Sequence, residues 1–136
     1  MLKKLGLVDF HKALKQNIEF FTNKRAYDFV PDGTAAPFYV IEVVDKYPEG
    51  TKVMWAEVFS VWIHAIAEED NSKIGVYSLV EELEEALTME LELPDGFELI
   101  RQEQTGIQSL QKDESGEWHA IISYDFKIAY GFKSKI

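Results

Sequence analysis

His11, His64 and His119 are the three imidazoles of the chain, and a zinc site or a general base would have to be built around them. No two stand at the spacing of an HxH or HExxH pair, so a metal centre has no support from spacing. His64 falls near the end of a long strand pattern and His119 on the polar side of another, where a hydrogen-bonded sheet histidine is the simpler reading. The seven serines include none in a G-x-S-x-G turn, the context that exposes a nucleophilic hydroxyl. Ser60 and His64 share one side of a strand, but four positions put them ~13 Å apart, too far for a hydrogen bond. Glu81, Glu82, Glu84 and Glu85 sit at helical spacing opposite an apolar stripe and read as a solvated face rather than as catalytic carboxylates. Gly6, Gly33 and Gly50 are isolated turn glycines, with neither a P-loop nor a dinucleotide fingerprint. The expectation is therefore no catalytic residue, no metal and no cofactor.

Composition narrows the class further. With 46% apolar residues over 136 positions, the chain can fill one core, and residues 1–136 read as a single domain. There is no cysteine, which removes disulfides and thiolate chemistry together. The opening Met1-Leu2-Lys3-Lys4-Leu5-Gly6 is too short and polar for a signal peptide, with Lys12 and Lys15 close behind. No run approaches the ~18–20 apolar residues of a membrane span, and the expected compartment is the cytoplasm. Asp and Glu number 24 against 14 Lys and Arg, a formal charge of −10. Such a surface repels a phosphate backbone. Acidity serves solubility, or it makes a surface that nucleic acid passes without adhering.

The elements that would carry any site follow from periodicity. Residues 8–23 read as a helix capped by Asp9, with Phe10, Leu14, Ile18 and Phe21 as its buried stripe. Three strands follow, over 25–30, 37–46 and 51–67, separated by Pro31-Asp32-Gly33 and Pro48-Glu49-Gly50. A second helix spans about 73–91 and buries Val76, Val80, Leu83 and Leu87, and Pro94-Asp95-Gly96 ends it. A closing hairpin pairs 97–112, bulged near Gly106, with 118–132. In the last strand Ala120, Ile122, Tyr124, Phe126, Ile128 and Tyr130 alternate with His119, Ser123, Asp125 and Lys127. The order α-β-β-β-α-β-β predicts an α+β fold, a mostly antiparallel sheet with two helices packed on one face.

The strand over 51–67 is apolar on both sides, with Val53, Trp55, Phe59, Val61 and Ile63 on one and Met54, Val58, Trp62 and Ile66 on the other. A strand of that kind needs cover on both sides, from its own helices and from a partner. At least one of Trp55 and Trp62 is expected in the core, and the other is a natural interface anchor. The 34–37 loop and the 113–117 hairpin tip read equally as mobile contacts or as plain loops.

The succession of a leading helix, Pro37-Phe38-Tyr39-Val40-Ile41, Phe59-Ser60-Val61-Trp62-Ile63-His64, an acidic link, the 80–87 helix and a last strand from Trp118 to Ile128 resembles the tail terminator, or tail completion, proteins of long-tailed bacteriophages and Bacillus-type prophages. The resemblance implies a non-enzymatic structural protein of the virion tail, made in the bacterial cytoplasm. It implies a ring, typically a hexamer, that caps the tail tube, stops its polymerisation and offers a docking surface to the head connector. The partners implied are further copies of the chain, the tail-tube protein and the head-connector protein, without sequence-specific nucleic acid or membrane. A closed ring joins two different patches, and Trp62, His64, Ile121 and Lys127 are the outer-face residues expected to make that contact. The alternative from the acidity is a protein-binding module of the toxin-immunity type, which predicts a monomer with one concentrated acidic patch. A small-molecule enzyme or ligand-binding fold would instead need a deep pocket with converging polar groups.

Overall fold

A computed structural model of the chain describes residues 2–133, so that Ser134 of the seven serines lies outside the described residues. The elements are α1 (Leu7–Thr22), β1 (Ala26–Tyr27), β2 (Phe38–Pro48), β3 (Met54–Ala67), α2 (Ile74–Ala86), β4 (Glu98–Lys112) and β5 (Trp118–Phe132). They form one sheet in the order β1-β2-β3-β5-β4. β1 and β2 run parallel, and every other pair is antiparallel. This is the α+β architecture and element order expected from periodicity.

The helices cover one face of the sheet. Phe10, Leu14 and Ile18 of α1 and Val76, Leu79, Val80 and Leu83 of α2 share a core with Phe59, Val61 and Ile63 of β3 and with alternate residues of β5 from Ala120 to Tyr130. Phe10 stacks on Phe59 at 4.3 Å between centroids and meets Phe126 edge-on at 5.3 Å, tying α1 to both central strands.

Several boundaries differ from the periodic reading, each for a local reason. α1 starts two residues before Asp9, with Gly6 at the cap, and Asp9 lies in the first turn. There its charge favours the helix N-terminus through the backbone dipole. The buried stripe steps from Ile18 to Thr22, whose hydroxyl donates to the Ile18 carbonyl at 2.6 Å. Phe21 thereby turns outward and is 45% exposed. β1 contracts to two residues. β3 begins at Met54 because the Thr51 hydroxyl accepts from the Val53 and Met54 N–H groups, at 3.2 and 3.0 Å, and holds the turn.

α2 stops at Ala86, short of Leu91, and β4 finishes its end. The Gln102 amide donates to the carbonyls of Leu87 and Met89 at 2.9 and 2.8 Å, and its oxygen accepts from the Leu91 N–H at 3.2 Å. A strand side chain thus satisfies carbonyls that the helix end leaves unpaired. β4 is an edge strand with register shifts at Leu99/Arg101, Gln104/Gly106 and Ile107/Ser109, irregularities that blunt an edge against further pairing.

Three tyrosines sit where ionisation is costly. Tyr39 donates to the Leu79 carbonyl at 2.6 Å, and Tyr130 donates to Glu57. Burial pushes the phenols of Tyr39, Tyr124 and Tyr130 well above the ordinary value, and the Glu57 carboxylate adds to the effect at Tyr130. A folded pKa above the unfolded one contributes stability that is complete below the unfolded value of ~10 and is lost as pH rises beyond it. In alkaline titration these three phenols are expected to ionise together with the loss of far-UV dichroism. Tyrosinate formation complete before the fold is lost would contradict their burial.

Candidate functional site

Alternation along β3 and β5 sends one set of side chains into the helical core and the other to the helix-free face of the sheet. Trp62, His64, Ile121 and Lys127 all lie on that second face, each half-buried. His64 stands opposite Ile121 in the β3–β5 register and Trp62 opposite Ser123, so three of the four expected residues form one cluster. Lys127 is six residues from Ile121 along β5, about 20 Å away by strand rise, and belongs to a different group.

Around the cluster the polar side chains are already paired. His64 Nε2 lies 2.8 Å from Glu42 Oε1, and its Nδ1 lies 2.7 Å from His119 Nε2. His119 Nδ1 faces Asp113 Oδ1 at 3.4 Å. A neutral imidazole donates from one nitrogen and accepts at the other. Glu42, His64, His119 and Asp113 thus form one row, with hydrogen-bond contacts at its first two links and a longer contact at the third. No spacing in the sequence signals the row, because its members come from β2, β3, β5 and the last hairpin.

Ser60 donates to Asp125 at 2.8 Å. Ser123 is nearly buried beneath β4, where Thr105 and Gln108 donate to its hydroxyl at 2.7 and 2.9 Å. Lys127 and Arg101 converge on Glu49 Oε1 at 3.2 and 3.4 Å. The hydrogen bond from Lys127 above all, with Arg101 assisting, holds the Glu49 carboxyl below the usual range. The Lys127 ammonium is thus committed within its own chain.

Trp62 and Ile121 are partly exposed among paired polar side chains, and Ser123 beside them is covered by β4. Among the described residues no group of three or more His, Asp or Glu is placed to hold a metal ion. None of the described helices is long and apolar enough to cross a membrane.

The tryptophans depart from expectation. Neither Trp55 nor Trp62 fills the core: Trp55, at the start of β3, is 44% exposed, and Trp62 is half-buried on the helix-free face. Two further apolar patches went unmarked by periodicity. Phe20, Phe21 and Met89 line a groove of about 500 Å³ on the helical layer, and Phe132 at the end of β5 is 83% exposed.

A family model described as "Putative tail termination protein" matches residues 1–136. No curated protein matches the chain. Among solved structures, a chain in the "Virion of native gene transfer agent (GTA) particle" superposes with a TM-score of 0.73 over 90% of this chain and 96% of that one, at 15% identity. At that identity the likeness speaks to the fold.

Proposed function

From the premise that this chain belongs to the phage tail termination proteins, the family matched over its whole length, we propose that it closes a ring on the finished tail tube. The ring, a hexamer on this reading, stops tube polymerisation and presents a docking surface to the head connector. The role is structural. The protein is made in the host cytoplasm and ends in the virion tail, with the tube protein, the connector protein and sister copies as its partners.

The family match is the observation that carries the reading, and the helix-free face supports it. Trp62 and Ile121 leave apolar area without cover from their own chain, and His64 lies beside them. Lys127, held by Glu49, contributes at the rim. A formal charge of −10 suits a ring that DNA traverses, since the acidic surface repels the passing duplex.

Deletion of the gene from its phage tests the proposal. Tails in negative-stain images are expected to be overlong and unjoined to heads. Tails of normal length in the deletion strain would remove the terminator role.

A further inference from the structure

Two exposed apolar patches on different parts of the chain carry charges of opposite sign. The first is the groove on the helical layer. Phe20, 79% exposed, Phe21 and Met89 supply its apolar area, and Glu19, Glu90 and Glu92 supply its charge, with no Lys or Arg in the lining. Glu90 and Glu92 make no ion pair among the described residues. The second patch is a projection where the β2–β3 turn meets the end of β5. Val53, Trp55 and Phe132 are all exposed there, beside Lys52 and Lys133. The backbone N–H of Lys133 donates to the Val53 carbonyl at 2.6 Å, and its ammonium lies 4.5 Å from the Trp55 ring centroid, so these residues form one contiguous unit.

We infer that the projection of one copy docks in the groove of the next. Apolar area on this scale at the surface of a soluble chain marks a contact site. The charges select the occupant. In a chain with 24 acidic and 14 basic residues, a patch that carries Lys52 and Lys133, with Glu98 beside Phe132, holds an excess of the minority sign. It matches a groove in which Glu19 is paired with Lys15 while Glu90 and Glu92 have no ion-pair partner among the described residues. The patches share no residue, so each copy can give a projection and receive one; repeated head to tail this heterologous contact closes a ring, whereas reciprocal exchange between two copies would stop at a two-fold dimer. The inference rests on the reading that copies of the chain associate. It adds a contact separate from the sheet face.

Two variants of the full chain test it. Phe132→Asp with Lys133→Glu disables the projection and leaves the groove. Phe20→Asp with Phe21→Asp disables the groove and leaves the projection. All four side chains are partly or largely exposed, and unchanged thermal melts verify folding. Self-association is read by sedimentation and by NMR dilution from about 1 mM, where even weak contacts register. Each variant alone should self-associate at least about tenfold more weakly than the parent. Their equimolar mixture should recover the parent affinity in a complex that stops at two copies, with shifts centred on Phe20, Phe21 and Met89 of the intact groove. Parent-like association by either variant alone would overturn the pairing and leave the ring standing. A mixture that recovers nothing would overturn it as well. So would a groove variant that loses only its binding to the tail-tube protein, which would make the tube the occupant. A parent that does not self-associate at this concentration also ends the inference, and tail length in the deletion strain then decides the ring separately.

Discussion

Tails assembled with a chain carrying Trp62→Glu and Ile121→Glu are expected to be as overlong as tails made without the protein. Both side chains occupy the helix-free face and point away from the core that holds Phe59, Val61 and Ile63. Both are only partly exposed, so the two substitutions are expected to cost the fold about 1–3 kcal/mol, and the melt of the purified variant separates that loss from the loss of assembly. Their expected weight in assembly adds to this. A tryptophan at the centre of a protein contact commonly contributes 2 kcal/mol or more, about thirtyfold in affinity, and two glutamates would place unpaired carboxylates where the sister copy must exclude water. Lys127→Gln is the internal contrast. Its ammonium is held by Glu49, and a sister copy would have to displace that bond to use it, so the effect should stay below about 1 kcal/mol. The check is tail length by negative stain, beside a thermal melt of the purified variant. A folded double variant that still gives tails of normal length would place the ring contact elsewhere.

Replacing Glu57 by alanine is expected to destabilise the chain by about 3 kcal/mol, the lower end of the range for breaking a buried charge pair. Glu57 is 7% exposed, on the helix-bearing side of β3. It accepts from the Tyr130 hydroxyl at 2.5 Å and lies 3.4 Å from the Lys46 ammonium and 3.7 Å from that of Lys4. Lys46 in turn donates to the Leu5 carbonyl at 3.0 Å, so the carboxylate also anchors the segment before α1. Without it, the Tyr130 hydroxyl loses its partner and Lys46 keeps only the Leu5 carbonyl, so the lysine's charge is no longer balanced in a largely dry site. Lys46 retains some solvent contact, which keeps the effect from the upper end of the range. At 2–4 °C per kcal/mol for a chain of roughly this size, the melting temperature should fall by about 10 °C. Glu57→Leu combined with Tyr130→Phe and Lys46→Met should recover most of the loss, because apolar groups of similar volume leave nothing unsatisfied. Urea unfolding of the three proteins measures this. A single-variant loss under about 1 kcal/mol would show the cluster to be well hydrated.

Glu57 also marks a limit of periodic reading. It occupies a core-facing position between Trp55 and Phe59 and carries a charge there, which alternation alone would have excluded. Its acceptability depends on Lys46 from β2 and Tyr130 from β5, groups that only the sheet brings alongside. Helix α1 shows the same limit on a smaller scale. Phe10, Leu14 and Ile18 are buried as their spacing predicts, but whether Phe21 or Thr22 continues the stripe turns on where α1 rests against its neighbours.

By itself the sequence determined the element order, the two helices, the closing hairpin and the division of β5 into a core face and an outer face, because each follows from local periodicity and turn chemistry acting over a few residues. It also determined the charge and the absence of thiol chemistry. The tertiary structure alone decided which apolar residues lack cover. Trp62 and Ile121 become neighbours across β3 and β5, and Phe20, Phe21 and Met89 become one groove, through contacts between segments distant in the chain. The meeting of His64 with His119, 55 residues apart, has the same origin: long-range strand pairing sets it, and no local spacing encodes that pairing.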